Sequence, residues 1–206
     1  MFASTDGGLH WERQSFPRAA VPLDIECTDA RHCVAVDPAG FVATTVDGGS
    51  IWTNHWLSTS PANASLTDVA CGDPEHCWAV GVGVIAASAD GGSTWEVQSR
   101  TDIDRPGGIT CLDRRNCVAV GSHVTAGVGA IVTTTDGGAT WVAQKTPLGV
   151  SALHDVACST AIGCRAVGQV AEGWSIQPYA AAVLAPKRPS VIRPVRLGPA
   201  GVDPAD

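Results

Sequence analysis

The chain has 206 residues, 45% hydrophobic and 16% charged, with a formal net charge of −7, so it carries enough apolar content to bury a core. No apolar run reaches the roughly 18–20 residues that cross a bilayer, and the opening MFASTDGG has neither the basic nor the apolar region of a signal peptide. The acidic balance excludes a nucleic-acid partner for the body of the chain, because phosphate binding needs a basic face.

The chain opens on an octet, STDGGLHW (4–11), that returns as TVDGGSIW (45–52), SADGGSTW (88–95) and TTDGGATW (134–141). Its aspartates, Asp6, Asp47, Asp90 and Asp136, lie 41, 43 and 46 residues apart. A second element alternates with it: CTDARHCVAVD (27–37), CGDPEHCWAVG (71–81), CLDRRNCVAVG (111–121) and CSTAIGCRAVG (158–168), with first cysteines 44, 40 and 47 residues apart. Within one unit the β-prone runs LTDVAC (66–71), HCWAVG (76–81), VIAASAD (84–90) and STWEVQS (93–99) predict four short strands divided by turn residues. No segment keeps a helical period. Four antiparallel strands recurring every 40–47 residues describe an all-β fold, the blade of a β-propeller. The first residues enter at a third strand, so the two strands before it are expected upstream. About four blade equivalents are present, which favours a fragment of a larger propeller over a closed four-bladed ring. Residues 1–186 form these blades, and YAAAVLAP (179–186) reads as a further third strand. Residues 187–206, with Lys187, Arg188, Arg193 and Arg196, form a Pro-rich basic tail or linker.

The octets resemble the Asp-box, or BNR repeat, S/T-x-D-x-G-x-T-W, found in sialidases, sortilin-type receptors and photosystem II assembly factor-like propellers. The match is full at Ser88, Asp90, Gly92, Thr94 and Trp95, and at Thr134, Asp136, Gly138, Thr140 and Trp141. Ser4, Asp6, Gly8 and Trp11 match with His10 in the Thr position; Thr45, Asp47, Gly49 and Trp52 match with Ile51 there. Each residue type has a folding role: Asp closes a turn on backbone N–H groups, glycine supplies positive φ, the hydroxyl ties the hairpin, and Trp covers it. A catalytic carboxylate would occur once in a pocket, not four times at one structural position.

The eight cysteines form four C-x5-C pairs, Cys27/Cys33, Cys71/Cys77, Cys111/Cys117 and Cys158/Cys164. Three states are open to them: disulfides between directly opposed strand residues, free thiols, or metal ligation with His32 and His76. Asn116 and Gly163 replace the histidines in the other two units, and zinc favours closer cysteine spacing, so disulfides are expected, and with them an oxidising compartment. That places the protein outside the cell, in a periplasm or on a cell surface, its export signal lying upstream.

Cysteine turns and octets share one face of the propeller. The opposite face carries the longer loops, whose His55, Trp56, Arg100, Asp102, Asp104, Arg105 and His123 are the candidate ligand contacts. The sialidase resemblance implies an arginine triad, a Tyr nucleophile paired with Glu, and an Asp acid/base. The chain has one tyrosine, Tyr179, with no paired glutamate in view, and VIRP (191–194) is not the F/Y-R-I-P entry motif of that family. The reading is therefore a non-catalytic, exported propeller that binds a protein or a glycan, with no cofactor and no metal. The alternatives are a sialidase-like glycoside hydrolase fragment and a purely structural module of a larger surface protein. Asn63-Ala-Ser65 is a glycosylation sequon in an inter-blade loop.

Overall fold

The structure, a computed structural model, describes residues 1–17, 21–57, 65–99, 103–159, 163–172 and 175–183. Arg100, Asp102, the sequon residue Asn63 and the tail 187–206 lie outside the described residues. Among the described residues all regular structure is strand, and no helix is long and apolar enough to cross a membrane.

The chain lays down successive meanders. A two-stranded hairpin, β1 (Phe2–Ala3) and β2 (Glu12–Arg13), comes first. Three four-stranded antiparallel sheets follow: β3 (Asp24–Cys27) to β6 (Thr53–Trp56) by way of β4 (Cys33–Val36) and β5 (Phe41–Thr45); β7 (Leu66–Cys71), β8 (Cys77–Gly81), β9 (Val84–Ser88) and β10 (Glu96–Ser99); and β11 (Arg105–Cys111), β12 (Cys117–His123), β13 (Val128–Thr134) and β14 (Val142–Gln144). The last sheet has three strands, β15 (Val150–Cys158), β16 (Cys164–Glu172) and β17 (Ser175–Val183). In each, strand order follows chain order, as in a propeller blade. The strands of the unit over 66–99 sit where the sequence placed them, except that β8 starts at Cys77, β9 ends at Ser88 and β10 starts at Glu96, the last two because residues 89–95 are used to form the octet turn. The additional third strand expected over 179–186 starts earlier, at Ser175, and residues 184–186 lie outside the described residues.

Side-chain alternation explains how the blades stack. On the second strands, Val34 and Val36 pack toward the following blade, against Val69, Cys77 and Ala79. One blade on, Trp78 and Val80 pack against Ile109, Cys117 and Ala119; the next contact sets Val118 and Val120 against Val156, Cys164 and Ala166. The two inner blades are thus sheets buried on both faces, and the core consists of the seams between blades. Ring closure by pairing the N-terminal hairpin to the last blade is not what the structure shows. The edge of β16 is taken by β17, and β1 pairs only with β2 among the described residues.

Candidate functional site

The octet turns are built from short-range hydrogen bonds. In each, the first hydroxyl donates to the aspartate Oδ1, at 2.7 Å in Ser4–Asp6 and 2.8 Å in Thr45–Asp47, Ser88–Asp90 and Thr134–Asp136. It also accepts the second glycine's N–H, that of Gly8, Gly49, Gly92 or Gly138. The same Oδ1 accepts the N–H four residues on, from His10, Ile51, Thr94 or Thr140. Oδ2 takes the hydroxyl of Thr94 or Thr140 at 2.6 Å. His10 supplies Nδ1 to Asp6 at 2.6 Å in the same role, whereas Ile51 has no such group to offer. Backbone donation from His10 and the Ser4 hydroxyl hold Asp6 low, at about 2; the Thr140 hydroxyl and amide hold Asp136 at about 2. Carboxylates this well solvated by donors stay ionised and are poor proton shuttles.

The cysteine turns lie against the octets. Gly48, Gly91 and Gly137 donate their N–H to the carbonyls of Arg31, Glu75 and Arg115. All four cysteine pairs are disulfides, with Cα atoms 3.9–4.1 Å apart. His32 and His76, the candidate metal ligands, instead bond through Nδ1 to Asp29 and Asp73 within the turn. Asn116 Nδ2 donates to Asp113 in the same way, which explains why asparagine serves at that position.

Two grooves open on this face, each between adjacent blades. The first, about 480 Å³, is lined by Glu26, Thr28, His32, Val34, Glu75 and Asp90 among others. The second, about 440 Å³, is lined by His76, Trp78, Glu96, Arg114, Arg115 and Asp136. Each contains a buried polar atom with no hydrogen-bond partner among the described residues, Thr28 Oγ1 in the first and Trp78 Nε1 in the second. A buried donor without an acceptor costs about 1–3 kcal/mol, and both atoms are closed to solvent. The grooves differ in charge. Glu26, whose carboxyl is raised by burial and by Asp24, joins Glu75 and Asp90 in the first; Arg114 and Arg115 stand beside Glu96 and Asp136 in the second.

The residues singled out on the opposite face divide between two blades. Asp104 accepts the Val124 N–H at 2.8 Å and lies 3.9 Å from His123 Nδ1, with Arg105 opening β11 beside it. His55 Nε2 and the Thr44 hydroxyl are 3.3 Å apart, and Trp56 stacks edge-on against Phe41 at 5.3 Å. Of the described ones, His55 and Trp56 belong to the first four-stranded sheet, and Asp104, Arg105 and His123 to the third or the loop before it. Tyr179 lies on β17, opposite Gly168.

Sequence reasoning missed a ladder of carboxylates along the innermost strands. Asp24 Oδ2 accepts the Val69 N–H of the next blade at 3.0 Å, and Asp68 Oδ2 accepts the Ile109 N–H at 2.6 Å. A shift of register at Leu66/Asp68, repeated at Pro106/Gly108 and Leu153/Asp155, is a bulge that re-aims this position. In the third whole blade the residue is Gly108, so Val156 receives no carboxylate from it and is bonded by its own Asp155 at 2.7 Å. Burial and the neighbouring Asp24 carboxyl push Asp68 up to about 8. The available signal was an aspartate three residues before the first cysteine in three of the four units, Asp24, Asp68 and Asp155.

Comparison with known proteins agrees with this architecture. The profile of the family described as Photosynthesis system II assembly factor YCF48 matches residues 3–163. A solved structure of YCF48 bound to a D1 peptide is 22% identical, with a TM-score of 0.63 over 86% of this chain and 55% of that one. YCF48 from Cyanidioschyzon merolae is 19% identical, with a TM-score of 0.65 over 92% of this chain and 60% of that one. An ancestral GH74 enzyme reaches a TM-score of 0.70 at 15% identity, over 94% of this chain but 28% of its own. The chain therefore spans little more than half the length of the YCF48 structures it matches. No curated protein sequence matches it.

Proposed function

The chain belongs to the YCF48 photosystem II assembly factor family, and from that premise we propose that it is a binding module for an extended segment of another protein, held across the two grooves of the octet face in an oxidising compartment outside the cytoplasm. The carrying observation is the pair of adjacent grooves and the difference in the charges that line them. Extended backbone carries both donors and acceptors, so one strand can bond polar groups that line both grooves. The YCF48 structure that holds a D1 peptide supports peptide as the ligand class. The charge difference between the grooves favours a segment with a basic half over Glu26 and Glu75 and an acidic half over Arg114 and Arg115. The four disulfides support export.

Calorimetric titration tests this with two synthetic peptides of equal composition, one with lysines and aspartates segregated into halves and one alternating them. Free sialic acid serves as the probe for a glycan. The segregated peptide should bind more tightly, and Arg114→Glu, which reverses a charge lining the second groove, should weaken it by about five- to tenfold. Equal binding of both peptides, or binding of sialic acid alone, would overturn the reading.

A further inference from the structure

The fourth strand of a blade can reach across a seam, and one seam differs from its neighbours in this respect. Three residues after each octet tryptophan stand Gln14, His55, Gln98 and Gln144. Gln14 Nε2 donates to the carbonyl of Gly48 in the next blade at 2.9 Å, and Gln98 Nε2 donates to that of Gly137 at 2.9 Å. Each amide also lies against the second glycine of the same octet, where a Cβ on Gly49 or Gly138 would fall inside it. In the seam between the first and second whole blades the equivalent residue is His55. It turns back to its own blade, with Nε2 3.3 Å from the Thr44 hydroxyl.

The residue just before the octet, on the third strand, decides the direction. It is Ala3 or Ala87 where a glutamine crosses the seam, and Thr44 or Thr133 in the other two units. Alanine offers the glutamine nothing within its own blade. A threonine hydroxyl retains the side chain, as Thr44 does with His55 and as Thr133 Oγ1 does with Gln144 Nε2 at 2.9 Å. Gly91 keeps the backbone of its siblings, with φ of +69° against +76° at Gly48 and +77° at Gly137, and its N–H is bonded to the cysteine turn as theirs are. Its carbonyl, however, has no partner among the described residues, whereas theirs accept the glutamines. Gly91 lines the first groove with Glu26, Glu75 and Asp90. The next acceptor along is already used, because Trp95 Nε1 donates to the Gly92 carbonyl at 2.8 Å. The face of Gly92 is covered too, since a Cβ there would lie 2.7 Å from Thr44 Cγ2.

We propose that the Gly91 carbonyl is a lysine subsite of the first groove, the place of the missing glutamine clasp being taken by a side-chain ammonium of the bound segment. This rests on the reading of the chain as a peptide-binding module and names one contact within it. A partner's glutamine or asparagine fits less well, because the Thr44 methyl covers the glycine face on which a planar amide would lie. An ammonium is compact, carries three donors and needs no such face. Its hydrogen bond to a carbonyl is charge-assisted and therefore stronger than the amide's. Glu26 and Glu75, which line the same groove, favour the positive charge.

Calorimetric titration of the 206-residue chain with two forms of the charge-segregated peptide tests this, one carrying lysines in its basic half and one carrying trimethyllysines. Trimethyllysine keeps the positive charge and removes every N–H, so it separates the hydrogen bond from general attraction. The lysine peptide should bind about tenfold more tightly. Thr44→Ala combined with His55→Gln rebuilds the alanine–glutamine pair of the other seams and should place the new glutamine on Gly91. That double variant should lose the preference for lysine over trimethyllysine. Thermal unfolding establishes that the variant is folded, and the comparison of peptides on the wild type stands without it. Equal binding of the two peptides by the wild type would overturn the lysine subsite and leave the peptide-binding reading standing. So would a preference for lysine that persists in the folded double variant. Failure of both peptides to bind would overturn the subsite and that reading together.

Discussion

The octet turns and the inner carboxylate ladder use the same side chain for the same purpose, capping backbone N–H groups, yet they act over different distances. Asp90 bonds residues no more than four positions away, whereas Asp68 bonds Ile109, 41 residues on. The octet sets the shape of one hairpin; the ladder fixes how one blade sits on the next. A short-range clasp can fail and leave the blade paired elsewhere, because four strands and a disulfide still hold it. A ladder residue sits on a buried seam, where the group left unpaired has no water to turn to.

The largest effect should appear where an octet is pressed against a seam. A Cβ on Gly92 would lie 2.7 Å from Thr44 Cγ2 and 3.2 Å from Val34 Cγ2, at a φ of +89°. On Gly8, at +92°, it would meet nothing closer than Trp11 at 3.8 Å. Gly92→Ala should therefore cost about 2–4 kcal/mol, backbone strain plus overpacking. Gly8→Ala should cost about 1 kcal/mol from the backbone alone. Thermal unfolding of the two variants measures the contrast, and equal losses would mean that the seams do not confine the octets.

Asp68 comes next. Asp68→Ala removes the partner of the Ile109 N–H and should destabilise by about 1–3 kcal/mol. Asp68→Asn keeps an acceptor and isolates the charge. Because its carboxyl is raised to about 8, folding favours the protonated form. Its contribution is complete below the ordinary carboxylate range and is lost as pH rises through about 8. Wild-type stability should fall between about pH 4 and pH 8, and Asp68→Asn should flatten that slope. The octets have the opposite sign. Asp6 and Asp136, lowered to about 2, stabilise above the usual carboxylate range and lose that contribution only in strong acid. Denaturant midpoints measured from acid to alkaline pH would separate the two behaviours.

The same contrast of distances decides how much was legible before the structure. The octet is written in eight consecutive residues, so Ser88, Asp90, Gly92 and Trp95 announce their turn directly, and four copies give the blade period. The cysteine spacing was readable for the same reason, since Cys71 and Cys77 flank a single turn. The ladder is carried by one aspartate per unit and is interrupted at Gly108, where a Cβ would lie 2.9 Å from Asp155 Oδ1 and 3.1 Å from Asp68 Oδ2. Its partner lies a whole repeat away, and a bulge, not a residue type, aims it. The grooves were hidden for a related reason. Thr28 and Trp78 read as an ordinary turn residue and a core residue, and only the stacking of two blades makes each of them line a groove.

The smallest effect tests whether the short-range clasp is as modular as its sequence suggests. The second octet alone lacks a donor to the far carboxylate oxygen: Thr94, Thr140 and His10 reach Asp90, Asp136 and Asp6 at 2.6 Å, while Ile51 is exposed and apolar. Ile51→Thr restores the missing hydroxyl at a position whose backbone N–H already bonds Asp47 at 3.0 Å, so the new bond needs no rearrangement of the turn. It also removes an apolar side chain from water. The site is solvated, so the gain is small, and the melting temperature should rise by about 1–2 °C. Thr94→Ile should lower it by a similar amount, and placing both substitutions in one chain should return it to the wild-type value, since turns one blade apart share no hydrogen bond and their effects add. A double variant that departs clearly from that sum would show that neighbouring octets communicate through the seam, and would bring the local clasp closer in kind to the ladder.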